Sequence, residues 1–328
     1  MIRVLFLTRL DIFKLRAGDT VQVSLLAEYL RKKGLTVSLS TRLKPDLDQY
    51  DLVHYFNILR TEGSYQRCLA VKEKGIPLLI TPIYWNVEQY LAQENPAALT
   101  TWRIKQEERR RILKLADLIV PNAELEWEQL ERDFQTGQPY RIIYNGVEDF
   151  FYGAPVEPVR NHVLMVGRIH RSKNQLGLIK ALRGSGLKLT MIGDINDHHY
   201  YRLCRQEADQ HIEIKAGVNR RELRRLYRDA AVHVLPSWYD TPGLVSLEAG
   251  LAGCKLVSTE RGSAREYFKD YAEYCVPGDL SDIRTKVLRA IERQPEPELP
   301  YYILNNFTWQ RVAEKTRQIY SELLSFLI

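Results

Sequence analysis

Residues 232–259 read VHVLPSWYDTPGLVSLEAGLAGCKLVST. Two short apolar, β-branched runs, VHVLPS (232–237) and CKLVST (254–259), flank a Pro/Gly-bearing loop and a segment from about Gly243 whose apolar residues suit a helix. Strand, loop, helix, strand is the βα unit of a parallel sheet. The same alternation runs outward in both directions. Upstream in the second half lie VLMVG (163–167), LKLTMIG (187–193) and HIEIK (211–215), with helices expected near 174–183, 220–229, 243–252 and 281–293. The first half offers IRVLFLT (2–8), TVSLS (36–40), DLVHYF (51–56), PLLITP (77–82), DLIVP (117–121) and YRIIY (140–144). Between its first two strands, Val21, Leu25, Leu26, Tyr29 and Leu30 recur at helical spacing over 19–33, and Gly34 supplies the stop. The fold class is α/β.

At 328 residues the chain suits two domains. The segment GVEDFFYGAPVEPVRN (146–161) has two glycines, two prolines and no clean period, so it reads as the linker, with the boundary near residue 152. Each half then forms a doubly wound sheet whose ligands bind at the carboxyl ends of the strands, and two such sheets imply a cleft between domains. The terminal stretch TWQRVAEKTRQIYSELLSFL is amphipathic and follows QPEPELP. By itself it assigns to either domain.

Composition narrows the function. Apolar residues make up 45% and charged residues 27%, which is ordinary globular usage and excludes disorder. No run of 18 apolar residues occurs, so neither a transmembrane helix nor a secretory signal is expected. Cys68, Cys204, Cys254 and Cys275 are too scattered for a zinc site or a disulfide framework, which fits a cytoplasmic setting. The net charge of +6 sits mostly in the second half. Residues 151–200 carry Arg160, Arg168, Arg171, Lys173, Lys180, Arg183 and Lys188 against only Glu157, Asp194 and Asp197. That local field suits a phosphorylated small molecule, whereas nucleic acid would call for a broader basic stripe with aromatics.

Two constellations carry chemistry. In GRIHRSKNQLGLIKAL, Gly167, Arg168 and Lys173 lie between a strand end and a helix start, an anion site or else a solvated basic loop. In the opening stretch, Asp240 sits in the loop and Glu248 lies eight residues on, inside an apolar helix. Asp240 also reads as a plain helix cap, whereas Glu248 between Leu247 and Ala249 is costly unless paired, with ligand hydroxyls, Arg168 or Lys173 as candidates.

Together with AGD (17–19), PNAELE (121–126), YNGVEDFF (144–151) and a terminal W-x-x-V-A-E helix, these motifs resemble the retaining nucleotide-sugar glycosyltransferases of family 4, with the GT-B fold. The resemblance implies Rossmann-like domains over 1–152 (acceptor side) and 153–307 (donor side), with a helix at 308–328 crossing back to the first. It implies transfer of a sugar from a nucleotide diphosphate sugar to the hydroxyl of a glycan or lipid-linked acceptor, with retention, in polysaccharide or lipid-linked glycan assembly. Arg168 and Lys173 would bind the donor diphosphate, Asp240 the sugar hydroxyls and Glu248 the ribose. The amides around Gly243, Leu244 and Val245 would touch sugar and phosphates, and Gly167 and Thr241 would be further substrate-binding residues. Gly217 and Val218 would lie near the base, and Gly18 would let the first-domain loop approach donor and acceptor. No metal or other cofactor is expected, since charge on the leaving diphosphate would fall on cations and helix amides.

Two positions depart from the family pattern. Asp240 is one methylene shorter than the usual Glu, and Tyr84 and Trp85 stand where many relatives place a histidine. His54 reads as a core or loop residue rather than its substitute. A catalytically silent sugar-nucleotide binding protein and a GT-B sugar-nucleotide epimerase are the alternatives. In WRIKQEERRRILKLADL (102–118) Ile104, Ile112 and Leu115 share one arc of a basic helix. A solvated face is the default there, with contact to an anionic membrane surface at the inner face as the other reading. RRELRRLYR (220–228) reads as surface, and Asp46-Leu-Asp48 lacks the context of a metal-binding D-x-D.

Overall fold

The computed structural model describes residues 2–14, 17–153, 159–294 and 297–326, with only the backbone of 159–161. Linker positions 154–158, positions 295–296 of QPEPELP, and Leu15 and Arg16 of the first-domain loop lie outside the described residues. The chain divides into two compact units, Met1–Gly146 with Trp309–Ile328, and Val147–Thr308.

The first unit holds five parallel strands, β1 (Arg3–Leu7), β2 (Thr36–Ser40), β3 (Leu52–Phe56), β4 (Leu78–Thr81) and β5 (Leu118–Ile119), in the order β2-β1-β3-β4-β5. Every residue of β3 is buried, as a central strand covered by helices on both faces requires. Helix Gly18–Lys32 buries Val23, Leu26, Ala27 and Leu30 and stops at Gly34, whose φ of 86° lies in the left-handed region. The expected strand at 140–144 does not form. Tyr140 makes one isolated bridge to Ile119, because β5 is too short to template a partner.

Helix Trp309–Phe326 packs on helix Gly18–Lys32 in this unit. Its Tyr320 hydroxyl meets His54 Nδ1 at 2.6 Å, and His54 Nε2 meets Thr81 Oγ1 at 2.7 Å. His54 is thus a satisfied core residue, and burial pushes its pKa down to about 3. A Cβ on Gly146 would lie 2.6 Å from the Trp309 ring, so a side chain there would push the returning helix away.

The basic helix at 102–118 is corrected on two counts. It breaks at Lys105 into Leu99–Ile104 and Gln106–Lys114, leaving Ile104 73% exposed rather than on the apolar arc. Its cations are mostly engaged within the unit. Arg109 is buried against the carbonyls of Ile58, Leu59 and Trp102, Arg103 pairs with Glu88, Lys105 with Glu62, and Arg111 stacks on Tyr65. Asp46 and Asp48 are exposed, and Asp48 pairs with Lys74.

The second unit has six parallel strands, β6 (Val159–Val166), β7 (Lys188–Ile192), β8 (Ile212–Lys215), β9 (Ala230–Leu235), β10 (Lys255–Thr259) and β11 (Ala272–Cys275), ordered β11-β10-β9-β6-β7-β8. The strand AEYC of β11 is too short to stand out by pattern, and pairing with β10 makes it. The contact boundary falls at Gly146 rather than near 152, since Glu148 pairs with Arg220 and the Tyr152 carbonyl accepts from Arg224 Nη2. On helix Arg220–Asp229, Tyr227 is buried while Arg221 and Arg225 are exposed. No helix among the described residues is long and apolar enough to cross a membrane.

Candidate functional site

In the second sheet β6 leads to β7 on one side and β9 leads to β10 on the other, although β6 and β9 are neighbours. The loops leaving their carboxyl ends therefore part and open a crevice, the place where such sheets bind ligands. Both chemistry-bearing stretches leave from this point, Gly167–Lys173 after β6 and Pro236–Gly243 after β9.

After β6 the chain needs close backbone approach. A Cβ on Gly193 at the end of β7 would lie 2.0 Å from the Gly167 carbonyl oxygen. Arg168 follows half-buried, and among the described residues no carboxylate lies within ion-pair distance of it. Its charge reaches His170, whose pKa is lowered by burial first and by Arg168 next. The turn Arg171–Lys173 ends at Asn174, which adopts a left-handed φ of 60°. Its side-chain amide donates to the carbonyls of Pro236 (3.1 Å) and Pro277 (2.7 Å), tying the first loop to the second. Gly177 makes room for it, since a Cβ there would lie 2.3 Å from Asn174 Oδ1. Sequence reading passed over Asn174 because a helix-start Asn usually signals only a cap.

Asp240 does not cap the next helix. The capping position of helix Leu244–Leu251 is Gly243 (φ 87°), where a Cβ would lie 2.5 Å from Leu235 Cδ2. The Asp240 carboxylate instead pairs with Lys173 Nζ at 2.5 Å. Its backbone is pinned to the loop after β10: Asp240 N donates to the Arg261 carbonyl, and Ser263 N donates to the Asp240 carbonyl at 3.1 Å. A Cβ on Gly262 would lie 1.8 Å from the Asp240 carbonyl oxygen.

Glu248 pairs with neither Arg168 nor Lys173, the cations suggested by sequence. Its Oε2 accepts from the Tyr227 hydroxyl at 2.9 Å. Burial pushes its pKa up to about 7, opposed by the Tyr227 hydrogen bond and the charge of Arg220. At neutral pH this carboxyl is poised between its charged and neutral forms.

The remaining sequence-predicted residues fall as follows. Thr241, Leu244 and Val245 are half-buried around the head of helix Leu244–Leu251, whose first amides have no helical acceptor. Gly217 and Val218 lie in the loop after β8, where a Cβ on Gly217 would lie 2.7 Å from Asp194 Oδ1. Gly18 is in the first unit at the start of helix Gly18–Lys32, and a Cβ there would meet nothing within 4 Å, so no steric demand requires glycine.

Beside Gly18 the first sheet has its own parting point between β1 and β3. Sequence reasoning missed the buried network there. Asp19 accepts from Arg9 Nε (2.7 Å), Arg9 Nη2 (3.1 Å) and Asn57 Nδ2 (2.7 Å). Asn57 holds a left-handed φ of 75° directly after β3. Tyr84 is a core residue stacked near Trp102 and donating to Asp133 at 2.7 Å, whereas Trp85 is half-buried.

Residues 154–302 match the family model described as Glycosyl transferases group 1. An uncharacterized glycosyltransferase of Methanocaldococcus jannaschii is 28% identical over 210 residues, 55% of this chain and 53% of that protein. The D-inositol 3-phosphate glycosyltransferase of Pseudarthrobacter chlorophenolicus is 34% identical over 182 residues, 50% of this chain and 43% of that protein. The chain thus spans about half the length of the curated relatives it matches. Among solved structures, sucrose-phosphate synthase from Thermosynechococcus elongatus superposes with a TM-score of 0.83 at 17% identity, over 99% of this chain and 100% of that one. Anabaena HepE in complex with UDP-glucose gives 0.73 at 16% identity, over 98% and 100%. The fold is GT-B, built from two parallel-sheet α/β domains.

Proposed function

We propose that the protein is a glycosyltransferase that moves a sugar from a nucleotide diphosphate sugar to an acceptor hydroxyl. The observation that carries this reading is the second sheet's parting point, where among the described residues Arg168 has no carboxylate within ion-pair distance and Lys173 pairs with Asp240, while Glu248 in the helix that follows accepts from Tyr227. A diphosphate meets cations and free helix amides there, and hydroxyls meet two carboxyl groups. The family match over 154–302 and a structural neighbour holding UDP-glucose support a nucleotide-sugar donor.

In this reading Arg168 and Lys173 take the diphosphate, with Lys173 exchanging Asp240 for phosphate as the donor enters. That frees the Asp240 carboxylate to accept from sugar hydroxyls. Glu248 binds ribose hydroxyls, helped by Tyr227, which orients its Oε2. Gly167, Thr241 and the amides at Gly243, Leu244 and Val245 line the donor, and Gly217 and Val218 approach the base. As bonding to the leaving diphosphate breaks, negative charge grows on its oxygens, and the two cations lower the barrier by stabilising it. No metal is required in this scheme. Retention and family 4 membership belong to this reading through the resemblance of the second-half motifs, with donor phosphate assisting removal of the acceptor proton. The acceptor, a glycan or lipid-linked glycan, would bind near Gly18, and the working place is the cytoplasm or the inner membrane surface.

The test is thermal stability across a donor panel, followed by transfer to sugar and lipid-linked acceptors. A ligand at 100 times its dissociation constant adds about 2.7 kcal/mol, which a melting curve resolves. Product formation supports the proposal, while a donor bound but unchanged, or isomerised, would replace it with a binding protein or an epimerase.

A further inference from the structure

We propose that Arg261 is a further anion-binding residue of this site, its guanidinium taking an oxyanion of the ligand, a phosphate oxygen of a nucleoside diphosphate. The proposal rests on the reading of the site as a nucleotide-sugar pocket and adds a residue outside the two stretches that defined it.

The loop after β10 returns to the parting point of the sheet and is fixed there. Asp240 N donates to the Arg261 carbonyl, Arg261 N donates to Thr259 Oγ1 at 3.1 Å, and Asp240 bridges Gly262. Gly262 holds a φ of 122° with its Cα side against the Asp240 carbonyl, so Arg261 cannot shift without moving Asp240. The guanidinium lies over the Trp238 ring, 5.3 Å from its centroid. Trp238 belongs to the Asp240 loop, and its amide donates to the Ser172 carbonyl at 2.9 Å, one residue from Lys173. Arg261, Trp238, Asp240 and Lys173 are thus parts of one backbone-locked corner.

What sets Arg261 apart is what it lacks. The buried Arg109 and Arg9 by contrast have acceptors, Arg109 being held by three carbonyls and Arg9 by Asp19 and Asp11. Arg261 is half-buried, yet among the described residues its side chain has no hydrogen-bond acceptor and no carboxylate within ion-pair distance. A guanidinium partly removed from water without a paired anion is costly, and burial lowers its pKa, opposed by the charge of neighbouring Glu260. A planar fork resting on an aromatic face is pre-organised for bidentate binding of an oxyanion. With Lys173 engaged by Asp240, Arg261 and Arg168 are cations that no carboxylate among the described residues holds in this state.

The experiment uses the full chain and two variants, Arg261→Gln and Arg261→Lys. Calorimetry measures binding of a panel of nucleoside diphosphates and of the matching nucleosides, with Lys173→Ala as a reference for the site. In Arg261→Gln we expect the diphosphate to bind about tenfold or more weakly, with nucleoside binding unchanged and the ligand-free melting temperature held or raised. Arg261→Lys should recover part of the loss, because the charge returns without the fork. If diphosphate affinity is unchanged in Arg261→Gln while Lys173→Ala loses it, the inference is overturned and the proposed function survives. A lowered ligand-free melting temperature with equal loss for nucleoside and diphosphate makes Arg261 structural and also overturns it. If the wild-type chain binds no nucleoside diphosphate, the site reading fails and takes the inference with it.

Discussion

Substitution of Glu248 by Gln separates ligand chemistry from folding through its pH dependence. The folded carboxyl has a pKa near 7 against 4.5 for the exposed group, so between these values the folded state holds the proton more tightly than the unfolded one. Stability therefore falls as pH rises through this window. At pH 8 the full shift would cost about 3 kcal/mol and at pH 5 less than about 1 kcal/mol. Glu248 is partly exposed, and solvent screening reduces the difference between the two pH values to about 1–2 kcal/mol. Gln does not titrate, and its amide oxygen can still accept from the Tyr227 hydroxyl. Glu248→Gln should therefore melt above wild type at pH 8, by roughly 2–4 °C per kcal/mol for a unit of this size, and close to it at pH 5. Thermal unfolding at both pH values, with and without donor, is the assay, and donor should stabilise the variant less than wild type. A variant that melts well below wild type at pH 8 without donor would refute the reasoning. It would mean that the carboxylate balances a structural cation, Arg220 being the one whose charge acts on it, and breaking such a buried pair costs on the order of 3–5 kcal/mol.

Lys173→Ala and Arg168→Ala should each lose at least about tenfold in turnover with the fold intact, since 1.4 kcal/mol of lost charge stabilisation suffices, and unchanged steady-state rates in both would remove the diphosphate from this loop. Gly193→Ala drives a methyl group into the Gly167 carbonyl at 2.0 Å, so it should be destabilising by more than about 2 kcal/mol, and a melting temperature equal to wild type would show that the two loops are not in contact. His54, neutral in the fold with a pKa near 3, gives stability that is complete above pH 6.5 and is lost as pH falls, about 2 kcal/mol by pH 5. Denaturant unfolding of His54→Gln should show a correspondingly shallower loss between pH 7 and 5, and a slope equal to wild type would disprove it. Excess EDTA should leave transfer intact, and activity lost to the chelator and restored by magnesium would overturn the metal-free scheme.

The alternation of short β-branched runs with amphipathic stretches determined the α/β class, because a strand buried on both faces must be apolar throughout and the helices covering it must carry one apolar stripe. Sequence also determined which residues are chemically conspicuous. A charged Glu248 in an apolar helix and cations after a strand-end glycine are costly or purposeful wherever the chain folds. Local pattern reached its limit where neighbours distant in sequence decide. YRIIY has a strand's composition but no partner long enough to pair with, whereas the four residues of β11 become a strand because β10 lies alongside. The basic segment from Trp102 has a helix's periodicity, yet it breaks at Lys105 and buries Arg109 against the carbonyls of Ile58 and Leu59, which its own sequence does not contain. Pairing was equally out of reach, since Asp240 with Lys173, Glu248 with Tyr227 and His54 with Tyr320 join positions 67, 21 and 266 residues apart. Hydrogen bonds and ion pairs act over about 3 Å, and sequence separation carries no information on that length once the chain has folded back on itself. Tertiary structure alone put the two loops on opposite sides of one parting point in the sheet and so made a site of them.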